Sequence, residues 1–166
     1  MEDEEAPPPS PESAGGPSRV RPAVRGDGPA LARLFAEVPM AGSLVLSTRR
    51  DPDFFALYDI QRGAAECQVF EHEGRVVGLG TALVRSGWID GQVRTVGYLG
   101  DLRVGPAGRR RRALMQNFGG ELRAIALRHQ CHLFLTGILA SNAAAINALV
   151  RRRVARQGKP RYWPFR

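Results

Sequence analysis

Apolar positions recur along the chain in blocks that switch between two-residue and helical spacing, and the blocks are separated by Gly, Pro and Asp. Residues 1–18 (MEDEEAPPPSPESAGGPS) stand apart, with no apolar residue larger than Ala after Met1. They bury too little to offset the entropy of ordering and are predicted to form an unstructured acidic, proline-rich tail. The folded domain is expected over residues 19–166. Residues 19–24 predict a strand, with Val20 and Val24 on one face. Asp27 stands in the N-cap place before Gly28-Pro29. Leu31, Leu34, Phe35 and Val38 then recur at helical spacing. A second helix is expected over 53–61, with Phe54, Leu57, Tyr58 and Ile60 available for burial.

Residues 68–70 and 75–84 predict two strands joined by a turn at 72–74. Asp90-Gly91 marks a further hairpin. A long strand over 93–104 follows, and Gly97 and Gly100 inside it predict a bend or bulge. Gly105-Pro106-Ala107-Gly108 reads as a breaker before a long helix over 110–128, striped by Leu114, Phe118, Leu122 and Ile125. Residues 131–136 read as a short buried strand. Ser141 or Asn142 caps a last helix to about residue 153, and 161–165 reads as an edge strand. This order predicts the α/β class with a mixed sheet. Strands one to four are antiparallel, a parallel βαβ crossover joins strands four and five, and helices lie on both faces. No internal repeat is present.

Composition narrows the picture. A chain of 166 residues with 43% apolar content is one domain with a core of its own. No apolar stretch approaches the roughly 20 residues of a membrane span. The N-terminus is acidic where a secretory signal is basic, and no apolar region follows it. Cys67 and Cys131 make neither a disulfide framework nor a metal cluster and read as reduced thiols, which points to the cytoplasm. His72, His129 and His132 lack metal-ligand spacing, so no metal is expected. The formal charge is +8, and the tail holds five acids and no base; the remainder carries 24 bases against 11 acids, a net +13. A body this basic favours an anionic partner: nucleic acid, a phosphorylated cofactor or an acidic substrate.

The junction after residue 104 carries the chemistry. A strand that feeds a helix through a Gly/Pro turn leaves several backbone N–H groups converging on one spot, and the helix dipole adds positive potential there. Such a junction suits phosphate. Arg109, Arg110, Arg111 and Arg112 sit in the first turn, where cations oppose the dipole and repel one another. A polyanion held against the turn relieves both effects. A plain basic surface run and a nucleic-acid patch are the competing readings.

The stretch Tyr98-Leu99-Gly100-Asp101-Leu102-Arg103-Val104, followed by Gly105-Pro106 and the arginines, resembles the acetyl-CoA signature of the GNAT superfamily of N-acetyltransferases. The resemblance spans about residues 19–166. In the family pattern, Arg/Gln-x-x-Gly-x-Gly/Ala follows the strand. Arg109 falls on the Arg/Gln position, Arg110 and Arg111 on the free ones. Arg112 falls on the first Gly, Ala113 on the next free position and Leu114 on the final Gly/Ala. Arg112 and Leu114 depart from the pattern, because glycine lets backbone approach a pyrophosphate closely.

The resemblance implies that acetyl-CoA lies between the fourth and fifth strands. Its pantetheine arm would pair with Leu102, Arg103 and Val104, and its pyrophosphate would rest on residues 109–114. Asn142 would contact it near the opening. Many members carry a Tyr seven residues after that Asn, as the acid for the departing thiolate; here the position is Leu149. Asp101 is the leading proton acceptor, ahead of Glu66 and Glu71. Tyr98, with Tyr58, is the candidate proton donor. Each of these also reads as an ordinary structural or surface residue.

The implied activity is transfer of an acetyl group from acetyl-CoA to a primary amine. A non-catalytic acyl-CoA-binding module, or half of a larger enzyme, is the alternative. A nucleic-acid binder using 109–112 and 151–153 is a further one. No stacking platform accompanies those runs, and the helix dipole accounts for arginines at a helix C-terminus. In the family two strands follow the last helix. Here residues 159–166 (KPRYWPFR) leave room for one, with Pro160 and Pro164 limiting its pairing. Tyr162, Trp163 and Phe165 then need cover, so a homodimer or a further domain is expected at that edge. Sedimentation at micromolar concentration is expected to show self-association; a clean monomer would remove the homodimer.

Overall fold

The structure, a computed structural model, describes residues 17–39, 48–109 and 112–147, the last stretch without the side chains of 112–116. Five strands form one sheet in the order β1 (Ser18–Pro22), β2 (Ala64–His72), β3 (Arg75–Ile89), β4 (Gln92–Val104), β5 (Leu133–Leu135). Neighbours among β1 to β4 pair antiparallel, and β4 pairs with β5 in parallel. The β2–β3 hairpin turns at Glu73-Gly74 and the β3–β4 hairpin at Asp90-Gly91. All four turn residues have left-handed φ, from 50° to 73°, which two-residue hairpin turns of this hand require. The hairpins run longer than the apolar pattern predicts. Arg85-Ser86-Gly87 breaks that pattern, yet it pairs with Arg94, Thr95 and Val96.

Helix α1 (Gly28–Glu37) and helix α2 (Ala56–Ile60) cover one face of the sheet. Leu31, Leu34 and Phe35 from α1 join Phe54, Phe55 and Tyr58 above Val69 and Leu79. Phe35 and Phe54 meet edge to face with centroids 5.0 Å apart. Full burial of such a ring stabilises by about 1.5–3 kcal/mol. Beyond β4 come a helical turn, α3 (Pro106–Arg109), and the long α4 (Arg112–Arg128), which covers the opposite face. There Phe118 packs beside Phe70 and Val77, and Ile125 and Cys131 pack against Ala82 and Val84. Strand alternation divides β2 between the layers: Val69 faces α1 and Phe70 faces α4.

Four sequence expectations are corrected. The residues 105–108 do not simply break the chain. Proline has the φ of a helix and no N–H to satisfy at its first position, so Pro106 starts α3, and Arg109 N–H donates to the Gly105 carbonyl at 3.0 Å. Asp27 stands at the N-cap without a side-chain capping bond. Its carboxylate takes two bonds from Arg21 and one from the Val24 N–H, each 2.8 Å, and so ties β1 to the start of α1. Gly97 is regularly paired with Val84 and Phe134 and does not bend the strand. Its Cβ would lie 2.3 Å from the Phe134 ring. The irregularity falls later: Leu79 pairs with Arg103 and Thr81 with Gly100, so Gly80 alone faces Asp101 and Leu102. Finally, β1 begins at Ser18, inside the segment expected to be unstructured.

Asn142 caps the last described helix, α5 (Ala143–Ile146), accepting from Ala145 N–H at 3.0 Å. The rest of the expected last helix, Leu149, the second arginine run and the 161–165 strand lie outside the described residues. No helix among the described residues is long and apolar enough to cross a membrane. Replacing Gly97 by Ala is expected to cost about 1–3 kcal/mol, because the Phe134 ring must move. Gly119 in α4 meets nothing within 4 Å, so Gly119→Ala is expected to gain up to about 1 kcal/mol from helix propensity. Denaturant unfolding of the two variants checks both signs.

Candidate active site

Strand β4 outruns its parallel partner. It pairs with β5 only from Val96 to Tyr98, against Leu133 to Leu135, and then continues to Val104. Residues 99–104 therefore face an opening on that side, with no strand partner there among the described residues. The bulge sits at the mouth of the opening. Asp101 holds it with a left-handed φ of 50°, and Thr81 Oγ1 donates to the Gly100 carbonyl at 2.9 Å. Tyr98 is the last β4 residue paired with β5 and is 49% exposed. Its hydroxyl oxygen lies 3.4 Å from where a Cβ on Gly137 would stand, so the ring reaches over the loop that leaves β5.

Several solved structures similar to this chain are acetyltransferases by name. Aminoglycoside N-acetyltransferase AAC(6')-Iy in complex with CoA aligns with 93% of this chain and 97% of its own, at a TM-score of 0.61 and 16% identity. Glucosamine-6-phosphate N-acetyltransferase from Arabidopsis thaliana aligns with 80% of this chain and 89% of its own, at a TM-score of 0.58 and 16% identity. An acetyltransferase from Trypanosoma brucei covers 90% of this chain and 99% of its own, at a TM-score of 0.56 and 18% identity. The chain has the GNAT acetyltransferase fold. No protein-family model and no curated protein sequence matches it, and at these identities the fold is what is shared.

In GNAT terms the opening is the parting of the fourth and fifth strands, and the predicted residues distribute around it unevenly. Asp101 and Tyr98 both stand at the mouth. The Asp101 carboxylate turns under α1 and α2, where its Oδ2 accepts from Arg50 Nη2 at 2.7 Å and from the Tyr58 hydroxyl at 2.5 Å. Burial first, then the Asp101 charge, push the Tyr58 hydroxyl far above the ordinary phenol value. Tyr58 therefore serves as a neutral donor to Asp101. The neighbouring Cys67 thiol is pushed up to about 12, again chiefly by burial and then by Asp101, so it is protonated at neutral pH and is no nucleophile.

The strand-end trio splits. Leu102 and Val104 pack with Phe70 and Val77 on the α4 side. Arg103 points to the α1 side, 6% exposed, with its guanidinium 5.0 Å from the Phe35 centroid. Burial lowers its proton affinity. No side chain of the three reaches outward, and their backbone edge on the side away from β3 has no strand partner among the described residues. Arg109 is exposed, and its Nε donates to the Val104 carbonyl at 2.9 Å, holding the guanidinium at the strand end. Arg110 and Arg111 lie outside the described residues. Arg112, Ala113 and Leu114 open α4, their side chains outside the description. Asn142 stands in the loop beyond β5 as a cap.

The reserve carboxylates are engaged elsewhere. Glu71 pairs with Arg19 and Arg21 of β1. Glu66 takes Arg128 Nη1 and His129 Nε2, each at 2.6 Å, and so latches the C-terminal end of α4 to β2. Among the described residues no three His, Cys, Asp or Glu side chains gather to hold a metal.

Sequence reasoning missed Arg50. It lies in the polar run Thr48-Arg49-Arg50-Asp51 with no periodicity to mark it as buried. Its side chain is 8% exposed, and its guanidinium lies 5.5, 5.6 and 5.2 Å from the Phe35, Phe54 and Tyr58 centroids. The usable signal is compositional: three aromatics at 54, 55 and 58 follow directly, and such a cluster holds a cation well.

The Glu66 latch has a pH signature. Burial raises the Glu66 pKa, but the bonds from His129 and Arg128 outweigh it and hold the carboxyl below its ordinary 4.5. A carboxyl with a depressed folded value stabilises fully above the unfolded value and loses that contribution as pH falls through the folded one. Glu66→Gln is therefore expected to melt lower than the parent at neutral pH. The gap should close as pH drops below 4.5. Parallel melting curves down to about pH 3 measure it.

Proposed function

We propose that the chain is an acetyl-CoA-dependent N-acetyltransferase acting on a primary amine. The observation that carries this reading is the parting of β4 from β5 directly before a bulge and an arginine-flanked turn. The CoA complex of AAC(6')-Iy, which has the same fold, supports CoA as the donor.

In this reading the pantetheine arm pairs with the open backbone edge of Leu102, Arg103 and Val104. The pyrophosphate rests against the turn after Val104, held by Arg109, Arg110, Arg111 and Arg112 and by the backbone at Ala113 and Leu114. Asn142 contacts the cofactor from the far side of the opening. The thioester then lies at the bulge, where backbone N–H groups polarise its carbonyl as negative charge develops on the oxygen. The amine nitrogen attacks the carbonyl carbon, the C–N bond forms, and the C–S bond breaks. Asp101 Oδ1, which carries no hydrogen bond among the described residues, receives the amine N–H. The half-exposed Tyr98 hydroxyl protonates the leaving thiolate. Holding the two reactants in register supplies most of the acceleration.

Acetyl-CoA is expected to raise the melting temperature, and dephospho-CoA to raise it less, because one phosphate is missing. Arg109→Ala with Arg111→Ala should weaken acetyl-CoA binding by about 1.5–3 kcal/mol per lost charge-assisted bond. Arg151→Ala with Arg152→Ala should leave it unchanged. Isothermal titration reads both pairs. Amine-dependent release of the CoA thiol separates the enzyme from a binding module. A melting curve moved by single-stranded DNA and not by acetyl-CoA would overturn the reading in favour of nucleic acid.

A further inference from the structure

Two guanidinium groups are buried against one ring. Arg50 lies 5.5 Å and Arg103 5.0 Å from the Phe35 centroid, with their side chains 8% and residue 6% exposed respectively. Asp101 is the one carboxylate among the described residues that bonds to either of them. It engages Arg50 Nη2 alone. Arg50 Nε and Nη1 and Arg103 Nε are buried without a partner among the described residues. The aromatic faces around Arg50 attract its charge but do not fill its in-plane N–H groups. Glu66, the other acid near Cys67, is taken by Arg128 and His129. Residues 40–47, which lead into Arg50, contain no acid. Among the described residues the cluster thus holds one more positive charge than negative, in a place where an unmatched ion is strongly unfavourable.

We propose that Arg50, with Arg103 behind it, is the anion subsite of the acceptor: the amine acetylated here carries a carboxylate or phosphate close to its nitrogen. This rests on the transferase reading above. The arrangement is complementary to a zwitterion. Arg50 takes the anion, while Asp101, bonded to it at 2.7 Å, turns its remaining oxygen to the ammonium end. A polycation such as an aminoglycoside meets two buried arginines and is disfavoured, which sets this chain apart from the aminoglycoside enzymes that share its fold.

The test titrates the full chain, saturated with CoA, against matched pairs. Each L-amino acid is run beside its carboxamide, and phosphoethanolamine beside ethanolamine. The same pairs are assayed with acetyl-CoA for thiol release. At least one anionic member is expected to bind about tenfold or more tightly than its neutral partner, with kcat/KM following, and the pair that responds distinguishes carboxylate from phosphate. Arg50→Lys should shrink that preference to a few-fold. If that variant fails to fold, the matched pairs on the unaltered chain still decide. Equal binding of neutral and anionic partners, or preference for an aminoglycoside, overturns the subsite. Acetylation of neutral amines without anion preference removes the subsite and leaves the transferase. Anion preference in binding without any thiol release leaves the subsite and removes the transferase.

Discussion

A two-against-one step in the ladder between β3 and β4 sets the rest of the structure. Opposite Gly80, β4 presents both Asp101 and Leu102, and an inserted residue shifts every later side chain to the other face of the sheet. Before the step, Tyr98 faces the α1 side. Unbroken alternation would put Leu102 and Val104 there as well. With it, Arg103 turns to Phe35 beneath α1, while Leu102 and Val104 join Phe118 beneath α4. The same residue lifts Asp101 into reach of Arg50 and Tyr58. Gly80 is what the α4 side requires opposite the step, since a Cβ there would stand 2.7 Å from the Phe118 ring.

Most of the framework follows from local rules, and those parts were legible. Glu73-Gly74 and Asp90-Gly91 close hairpins because left-handed φ at two adjacent positions is rare outside such residues. The Leu31, Leu34, Phe35 stripe buries as its spacing requires. The bulge was expected from glycine inside a strand, and it formed after Gly100. Gly97 shows the limit of that inference. A glycine in a strand signals either a bend or a close neighbour, and only the position of Phe134 decides between them. The site was legible to the extent that it lies in one contiguous stretch, 98–109. Arg50 reaches Asp101 from 51 residues away in the chain. No local pattern reports a contact of that range.

The arginines divide by what they meet. Arg19 and Arg21 share Glu71, Arg21 also holds Asp27, Arg25 pairs with Asp53 and Asp59, and Arg128 holds Glu66. These stitch strands and helix ends together over partly exposed surface, where each pair contributes little alone. The basic body is thus largely a set of matched pairs wherever acids are available, and 11 acids do not suffice for 24 bases. Two groups of arginines border the candidate site. One is the turn after Val104, at the end of the opening. The other is the buried pair beneath α1.

Both groups lie toward the C-terminal end of β4, where Arg103 and the turn follow the bulge. In the proposed reading the turn suits a pyrophosphate and the buried pair beneath α1 a smaller anion. Asp101, in the bulge, bonds to Arg50 of the buried pair. This geometry also bears on Arg112 and Leu114, which occupy positions where the GNAT pattern has small residues. A side chain there keeps a phosphate from close approach to the backbone, so in the proposed binding mode recognition shifts from N–H groups toward guanidinium groups, which reach farther. Four consecutive arginines after Gly108 would then compensate. Direct transfer, as proposed, would tolerate Leu149 in place of a proton donor for a related reason. A thiolate leaves more readily than an amine, so the reaction depends more on alignment at the bulge than on any one acid.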